Sequence, residues 1–321
     1  MKIEEWLSGV KTIGISGHIR PDGDCVGSCM GLYLYLKKNY PDIHATVFLE
    51  EIPEEYKIIP HTEEIRSVFP AEEEPLDLFF ALDCGEERLG EARELFQNAR
   101  KTVNIDHHIS NPGTGKINYI VPDASSTSEL IFDLTDSQKY DTGIAMALYM
   151  GIVTDTGVFK YSNTSPETMR KAGELLRFDF DHNELIDHVF YEKTWLQNLL
   201  LGRALIESIL FMDDRCIASC LTKRIMDFYH AKPSDTDGIV SQLHLTAGVE
   251  CTIFMYEIKT QVFRVSLRSR GAVDVAKIAA VFGGGGHARA AGCTLGGMRY
   301  DVINNLSRYV EEQLNAKKTS M

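Results

Sequence analysis

Short apolar runs, separated by stretches of helical periodicity, characterise the first half of the chain. The runs predict strands over Thr12–Ser16, His44–Leu49, Leu76–Leu82 and Lys101–Ile105. The third run is apolar almost throughout, which is typical of a strand covered on both faces. The stretches between and after the runs predict helices over Gly23–Asn39, Glu86–Asn98, Ser125–Leu134, Thr142–Val153 and Pro166–Arg177. Strands that alternate with helices indicate an α/β fold with a parallel sheet.

The second half of the chain predicts a separate and smaller α/β domain. Helical periodicity over Glu192–Phe211 predicts a helix that connects two domains. Beyond it we expect a β-hairpin and two helices, over Cys251–Ile258, Val262–Leu267, Val273–Phe282 and Val302–Leu314. The predicted organisation is a first domain over residues 1–190, a connecting helix within 191–212 and a second domain over 213–321.

Acidic and histidine side chains follow the apolar runs of the first half at four points. They are His18, Asp22 and Asp24, then Asp83, then Asp106, His107 and His108, and finally Asp155. One such residue alone is typical of a helix N-cap or a turn, but capping does not explain four clusters in this position. Ligands of open parallel sheets bind beyond the carboxyl ends of the strands, so we expect a site there.

The residue types at these four points indicate a pair of divalent cations. Carboxylates and imidazoles, with no thiolate required, suit a hard or borderline ion such as Mn²⁺. So many acids close together repel one another strongly unless cations neutralise them. Two neighbouring cations are in turn typical of enzymes that act on phosphate groups.

The order of these motifs resembles the DHH phosphoesterase superfamily. His18, Asp22 and Asp24 match its first motif, Asp83 its second, the triplet Asp106-His107-His108 its third, and Asp155 its fourth. Far downstream, residues 283–292 read GGGGHARAAG and are similar to the glycine-rich motif of the DHH-associated C-terminal domain. The matches span nearly the whole chain.

The resemblance implies roles for the individual residues. One cation would be held by His18, Asp22 and Asp83, and a second by Asp24, Asp83, His107 and Asp155. Asp83 would bridge the two cations, and a water held between them would attack phosphorus in line. Asp83 and His108 are therefore the predicted catalytic residues, with His108 bonding to phosphate or protonating the leaving group.

The glycine run predicts a second site, which binds an anion. Each glycine disfavours the interior of a helix or strand by about 1 kcal/mol, so we expect Gly283–Gly286 to lie outside both. Backbone N–H groups in such a loop can cradle a phosphate, and arginine suits bidentate phosphate contacts. The alternative is a flexible loop after a helix. The predicted substrate-binding residues are Gly284, Gly285, Gly286, His287, Arg289, Arg268 and Arg270.

We expect the substrate in a cleft between the two domains, with the cations on one wall and this basic cluster on the other. Two further features are left open. Arg20 is placed to contact either a phosphate or an exposed acid. Ser125, Ser126 and Thr127 either contact the substrate or form a plain N-cap for the helix that follows.

Composition narrows the class of protein. The chain has 321 residues, 44% hydrophobic and 25% charged, which is typical of a soluble globular protein with room for two domains. No apolar run approaches the ~20 residues that span a bilayer. From this we expect no membrane association. The seven cysteines lack the spacing of a disulfide scaffold, so we expect reduced thiols and a cytoplasmic location.

The acidic balance bears on the substrate. A formal net charge of −13 argues against binding to long nucleic acid, which relies on a basic surface. It leaves short single-stranded RNA and phosphorylated nucleotides as expected substrates, because bound cations make a site locally positive. The oligomeric state stays open, with a homodimer as one candidate.

The resemblance implies a Mn²⁺-dependent hydrolase of short oligoribonucleotides (nanoRNA) and of adenosine 3′,5′-bisphosphate (pAp). The alternative is a phosphodiesterase for a cyclic dinucleotide or its linear product, such as c-di-AMP or pApA. Family II inorganic pyrophosphatases share the metal ligands but lack the GGGGH run, and RecJ-type exonucleases carry additional domains. An inactive nucleotide-binding module is disfavoured because every ligand position is filled.

Overall fold

A strand that is buried at every position, Leu78–Leu82, lies at the centre of the first sheet. The computed structural model describes residues 2–69 and 75–318, and it divides into two units, Met1–Glu192 and Lys193–Met321. The first unit has five parallel strands in the order β2-β1-β3-β4-β5. These are β1 (Thr12–Ser16), β2 (His44–Phe48), β3 (Leu78–Leu82), β4 (Lys101–Asp106) and β5 (Ile117–Ile120).

Six α-helices accompany this sheet within the described residues of the unit. They are α1 (Gly23–Asn39), α2 (Ala92–Asn98), α3 (Thr127–Leu134), α4 (Thr142–Asp155), α5 (Pro166–Leu175) and α6 (His182–Ile186), which continues into a π-helical turn over Asp187–Tyr191. Polar side chains cap five of these helices, among them α1, α3 and α4: Asp22 accepts a bond from the N–H of Cys25, Ser126 from Glu129, and Asp141 from Ile144. Each cap satisfies an N–H that has no partner inside its helix.

Close packing between α1, α3 and α4 depends on glycine. A Cβ atom at Gly27 would lie 2.6 Å from the carbonyl oxygen of Ala147. A Cβ atom at Gly151 would lie 1.9 Å from Ser128 Oγ and 2.8 Å from Asp24 Oδ1. The missing side chains let the helices approach closely, which brings the α4 residues near Asp155 toward the sheet edge where β1 and β3 end.

The second unit is built on a mixed six-stranded sheet in the order β10-β11-β9-β8-β7-β6. Its strands are β6 (Ile209–Phe211), β7 (Cys216–Leu221), β8 (Cys251–Lys259), β9 (Val262–Ser269), β10 (Gly285–His287) and β11 (Ala290–Gly296). Only β7 and β8 pair in parallel. The helices are α7 (Trp195–Ile206), α8 (Lys223–Phe228), α9 (Ile239–His244), α10 (Val275–Val281) and α11 (Arg299–Lys318).

The two faces of this second sheet are covered differently. One face packs against α10 and α11 in a continuous apolar core. On the other face, α7, α8 and α9 cover the part formed by β7 and β8. Further along that face, β9 and β11 present the exposed or half-buried side chains of Arg264, Ser266, Arg268 and Thr294. These side chains form a polar half-face with two arginines, bordered on one side by the start of α9.

Most of the predicted elements of the α/β fold are confirmed, and three predictions need correction. The Glu86–Asn98 helix is wrong in its first half, because a 3-10 turn at Glu86–Arg88 and a positive φ of 56° at Gly90 delay the helix until Ala92. The Glu192–Phe211 helix covers only Trp195–Ile206, and Phe211 lies in β6. The glycine run does enter a strand, since Gly285–His287 pairs with β11.

The structure also adds elements that no apolar pattern predicted, among them β5, α6, α8 and α9. Across residues 2–69 and 75–318, none of the helices combines the length and the apolar character that crossing a membrane requires.

Candidate two-metal active site

All six predicted metal ligands meet at the carboxyl edge of the first sheet. His18 follows β1, Asp83 follows β3 and His107 follows β4, while Asp24 lies in α1 and Asp155 ends α4. Asp83 has a positive φ of 61°, a left-handed conformation that aspartate tolerates better than most residues. The site therefore draws on three neighbouring strands and two helices, as expected for a ligand site in an open parallel sheet.

One group of ligand atoms surrounds His18. Its Nε2 atom lies 3.4 Å from Asp22 Oδ2 and 3.5 Å from Asp83 Oδ2. The other ring nitrogen, Nδ1, lies 2.9 Å from the carbonyl oxygen of Ile19. Because a carbonyl only accepts, Nδ1 carries the hydrogen and Nε2 is oriented toward the two carboxylates.

A second group surrounds His107. Its Nε2 atom lies 3.5 Å from Asp83 Oδ1, 3.5 Å from Asp155 Oδ2 and 3.9 Å from Asp24 Oδ2. Asp83 thus gives Oδ2 to the first group and Oδ1 to the second. A carboxylate that shares its two oxygens in this way has the arrangement of a bridging ligand between two cations.

The electrostatics of the site fit bound cations. Burial and the neighbouring carboxylates Asp83 and Asp155 raise the pKa of Asp24 well above its usual value. Burial, followed by the Asp83 and Asp22 charges, raises the pKa of Asp155 to about 6, against the opposing effect of His107. Burying several like charges is costly, so this donor set fits divalent cations that neutralise them.

The pKa values of the two histidines are also raised, which favours the charged form of each imidazole. Burial lowers the pKa of His18, but its bonds to Asp22 and Asp83 outweigh burial and raise the pKa to about 11. Burial also opposes charge on His107, yet the Asp83 bond and the nearby aspartates raise its pKa to about 10. Burial raises the pKa of Asp83, but bonds from His107 and His18 lower it overall. The contacts between the two rings and Asp83 thus favour the charged form of each partner.

The first turn of α3 fixes two of the carboxylates. The backbone N–H groups of Thr127 and Ser128 donate to Asp24 Oδ2 and Oδ1, at 2.6 and 2.9 Å. The Thr127 hydroxyl donates to Asp83 Oδ1 at 3.0 Å. Ser126 is the N-cap of α3, so the capping interpretation of this segment is confirmed, and its neighbours also orient the predicted ligands.

A buried ion pair anchors the start of α3. Glu129 Oε2 accepts bonds from the Ser125 N–H at 3.1 Å and from the Thr168 hydroxyl at 2.8 Å. Glu129 Oε1 accepts from Lys171 Nζ at 2.9 Å, and Lys171 also donates to Asp133. The sequence interpretation missed Lys171, because a lysine on an amphipathic helix is typical of a solvated face.

His108 lies beside the His107 group, with its Nδ1 atom 3.6 Å from Asp83 Oδ1. Its backbone N–H and its ring Nδ1 both lie against Asp106 Oδ1, at 3.0 and 2.7 Å. The Asp106 bond raises the pKa of His108, with burial opposing it. His108 is 41% exposed on its side chain, so its free edge is open to a substrate.

Two cavities adjoin the polar half-face of the second sheet. One, of about 410 Å³, is lined by Arg264, Phe282, Gly283, Gly284, Gly285, Gly292, Cys293 and Thr294. The other, of about 340 Å³, is bordered by Arg264, Ser266 and Arg268 of β9, by Phe254 and Tyr256 of β8, and by residues near the start of α9. Arg264 lines both cavities and was missed in the sequence, although it lies two and four positions from Ser266 and Arg268 on one strand face.

The predicted substrate-binding residues therefore divide into those that line a cavity and those that do not. Gly284, Gly285 and Arg268 line the cavities, whereas Gly286, His287 and Arg289 lie nearby on or after the exposed edge strand β10 and line neither. Arg270 is the exception in its contacts, because its guanidinium donates to the backbone carbonyls of Val249, His244 and Thr246. Arg270 thus holds the turn after α9 and is not directed at the glycine run.

Gly285 differs from the other glycines of the run. Cβ atoms at Gly284 and Gly286 would collide with backbone atoms of β11, and Gly283 has a positive φ of 69°. A Cβ atom at Gly285 would meet no atom within 4 Å in the described structure. Its φ is also outside the left-handed range. The fold therefore does not require glycine at 285. The role of Arg20 was left open by the sequence. In the structure its backbone N–H donates to the carboxylate of Glu50.

Comparison with known proteins identifies the class. Residues 12–152 match the DHH family, N-terminal domain, and residues 218–316 match the DHHA1 domain. The chain belongs to the DHH family and carries the DHHA1 domain, so the resemblance seen in the sequence is confirmed.

Two curated relatives extend over almost the whole chain. It is 32% identical over 320 residues to the bifunctional oligoribonuclease and PAP phosphatase NrnA of Thermus thermophilus, covering 97% of this chain and 93% of that protein. It is 28% identical over 297 residues to the protein of the same description from Bacillus subtilis, with 90% and 91% covered. The crystal structure of an exopolyphosphatase-related protein from Bacteroides fragilis has a TM-score of 0.86 and 26% identity, covering 98% of this chain and 96% of that one.

Proposed function

We propose that this protein hydrolyses short oligoribonucleotides and pAp with two divalent cations, Mn²⁺ above all. It is a hydrolase of phosphoester bonds. The observation that carries the two-metal proposal is the carboxylate of Asp83, whose oxygens face two separate sets of ligand atoms. The relatives named as oligoribonucleases and PAP phosphatases support the substrate class.

The first set in this proposal is His18, Asp22 and Asp83, and the second is Asp24, Asp83, His107 and Asp155. Bound cations would supply Lewis acidity and lower the pKa of an attacking water. The mixture of carboxylates and imidazoles supports Mn²⁺, because Mg²⁺ prefers oxygen ligands and retains its waters.

The side chains around the cations have separate tasks. Thr127 and the α3 N–H groups hold Asp83 and Asp24 in place by the bonds described above. His108 donates a proton from Nε2 to the departing oxygen of the ribose. Its Nδ1 is held by Asp106, so Nε2 is the nitrogen available for that transfer.

The DHHA1 domain binds the part of the substrate remote from the reacting phosphorus. In the proposal, a terminal phosphate is bound by Arg264, Ser266 and Arg268. The ligand can approach the backbone closely at Gly284 and Gly285. Arg289 adds positive charge beside them, and His287 adds a polar ring. The seven cysteines are all free and buried, which supports a reducing compartment and a cytoplasmic location.

A single substrate panel tests the proposal. Metal-stripped protein is assayed with pAp, pApA, c-di-AMP and pyrophosphate after addition of Mn²⁺ or Mg²⁺. We expect the highest kcat/KM on pAp and the linear dinucleotide, and higher activity with Mn²⁺. Preference for c-di-AMP would select the cyclic dinucleotide alternative, and preference for pyrophosphate would contradict the nucleotide assignment. A homodimer stays a prediction.

A further inference from the structure

A chain of buried side-chain hydrogen bonds leads from the end of β3 to His108. It starts at Asn104 on β4, which is fully buried. Asn104 Nδ2 donates to the carbonyl oxygens of Ala81, at 3.0 Å, and Cys84, at 2.8 Å. These carbonyls lie on either side of Asp83 in the sequence, so Asn104 is tied to the backbone that carries the bridging carboxylate.

Asn111 forms the next step of the chain. Its Nδ2 donates to Asn104 Oδ1 at 3.0 Å and to Asp106 Oδ2 at 2.6 Å. Its Oδ1 accepts from the Gly113 N–H at 2.9 Å. Both hydrogens of the amide meet atoms that only accept, which fixes the orientation of the Asn111 side chain.

Asp106 is the last step before His108. It is fully buried, and Oδ1 accepts from the backbone N–H and the Nδ1 of His108, while Oδ2 accepts from Asn111. A carboxylate with only one of its oxygens bonded can rotate, whereas bonds to both oxygens fix its plane. The bond from Asn111 therefore fixes the atom that orients the His108 ring.

We propose that Asn111 is a positioning residue for His108, acting through Asp106, with Asn104 tying both to β3. The unit Asn104–Asn111–Asp106 holds His108 in one tautomer, with Nδ1 bonded and Nε2 directed outward. Among the described residues, the Asn111 side chain makes no direct hydrogen bond to either ligand set. In this proposal its effect reaches the reaction through the proton that His108 delivers. This inference rests on the proposed function, because it assigns Asn111 to the proton transfer in that reaction.

Loss of Asn111 should therefore depend on the leaving group. Removing the amide leaves Asp106 Oδ2 buried without its donor, so the carboxylate and the His108 ring lose their fixed geometry. A ribose alkoxide needs a proton as it departs, and general acid catalysis typically contributes 10²–10⁴-fold. A p-nitrophenolate departs without one, so the same loss should hardly affect a nitrophenyl ester.

The experiment compares Asn111→Ala with Asn118→Ala on two substrates. Asn118 is an exposed asparagine on β5, and its side chain bonds to the backbone of Gly115. The substrates are pApA and the p-nitrophenyl ester of thymidine 5′-monophosphate, both at saturating Mn²⁺. We expect Asn111→Ala to lower kcat on pApA by about 100-fold. We expect kcat on the nitrophenyl ester, and both KM values, to change by less than about threefold. Asn118→Ala should leave both substrates unaffected.

Two results would overturn the proposal. An equal loss on both substrates would mean that Asn111 maintains the cation site or the fold, and an undiminished kcat on pApA would mean that it positions nothing. Asn111→Ser, which keeps one donor, guards against a folding defect and should show a smaller loss with the same substrate dependence. Wild-type turnover tests the proposed function, whereas the ratio of variant to wild type tests Asn111, so the two can fail separately.

A readout independent of turnover completes the test. With ¹⁵N-labelled histidine and Mg²⁺ in place of paramagnetic Mn²⁺, the Nδ1–H of His108 should give a hydrogen-bonded signal that disappears in His108→Gln. The same signal should weaken or vanish in Asn111→Ala and persist in Asn118→Ala. Persistence of an unchanged signal in Asn111→Ala would contradict the positioning role.

Discussion

Asp83 Oδ2, just after the end of β3, lies 3.5 Å from His18 Nε2, just after the end of β1. The second oxygen of the same carboxylate lies 3.5 Å from His107 Nε2, after β4. One side chain on the central strand thus joins the motifs of its two neighbours. This relation explains why a parallel sheet suits the site, because the carboxyl ends of its adjacent strands lie side by side.

Cation affinity should depend steeply on pH. His18 and His107 have pKa values raised to about 11 and about 10, so both imidazoles hold protons at neutral pH when no cation is bound. A cation binds only the unprotonated ring, so each proton must leave first, and affinity must fall as pH falls. We expect the Kd for Mn²⁺ to decrease by roughly tenfold per pH unit between pH 6 and 8.

Titration calorimetry in buffers of different ionisation enthalpy measures both the affinity and the protons released. Chelation should also remove the activity, and added Mn²⁺ should restore it. An affinity that is constant from pH 6 to 8, with no proton release, would contradict the pKa assignments of the two histidines.

Gly151 should be intolerant of even one methyl group. The added Cβ would lie against Ser128 Oγ and Asp24 Oδ1, so α4 and the α3 N-terminus would have to separate. Overpacking of this kind costs about 1–3 kcal/mol of unfolding free energy, and it should also weaken Mn²⁺ binding through Asp24.

The matched control is Gly173→Ala in α5, where the new Cβ meets nothing within 4 Å. Alanine there should raise the unfolding free energy by roughly 0.5–1 kcal/mol, since glycine disfavours a helix interior. Urea unfolding of both variants gives the comparison. Equal stability of the two would show that the helices accommodate the methyl group.

The polar half-face of the second domain should affect binding and not chemistry. Arg264→Ala and Gly285→Val should raise KM for pAp and pApA by tenfold or more, because the first removes a phosphate contact and the second fills open space. The nitrophenyl ester of thymidine 5′-monophosphate, which lacks the remote nucleotide, should be hydrolysed almost normally.

Exposed positions of the same type serve as controls for these variants. Arg224→Ala removes the same charge from the surface of α8, and Gly296→Ala adds a methyl group where the nearest atom is 3.7 Å away. Neither should change KM. An equal loss on the nitrophenyl ester would place Arg264 and Gly285 in the catalytic machinery and contradict their assignment to substrate binding.

Much of this architecture could be predicted because its signals are local. The strands β1, β3 and β4 are apolar runs followed at once by polar residues, so both the sheet and the motif positions are visible along the chain. Asp22 and Asp24 flank a glycine, and the triplet at residues 106–108 is contiguous. Because these residues directly follow neighbouring parallel strands, their side chains must lie at the same edge of the sheet.

The parts that could not be predicted depend on contacts between distant residues. Lys171 and Glu129 are 42 positions apart, and nothing in α5 shows that its lysine is buried against α3. In the sequence, Arg264 cannot be distinguished from any other exposed arginine on a strand. Only the folded structure shows that it lines two cavities, which β11 and α9 border. Arg270 lies close to the glycine run in the sequence, yet its side chain turns to the carbonyls near α9. The short strand β10 forms despite two glycines, because β11 supplies its hydrogen bonds and leaves no room for side chains at Gly284 and Gly286.

The central claim is that Asp83 bridges two cations, and Asp83→Asn tests it most directly. Asparagine keeps the size and tolerates the positive φ at this position, so the change isolates the loss of charge. Asp123→Asn, at an exposed position outside the site, is the control for charge alone. The measurement is Mn²⁺ stoichiometry by calorimetry, beside kcat on pApA and the thermal unfolding midpoint.

We predict that Asp83→Asn lowers kcat by at least about a thousandfold, a loss comparable to removing an essential catalytic group. Binding at both cation positions should weaken together, while the unfolding midpoint of the metal-free protein stays within a few degrees of wild type. The Asp123→Asn control should match wild type in all three measurements. If Asp83→Asn lost affinity for only one Mn²⁺ and still bound the other as tightly as wild type does, Asp83 would not be a bridge and the two-metal account would be contradicted.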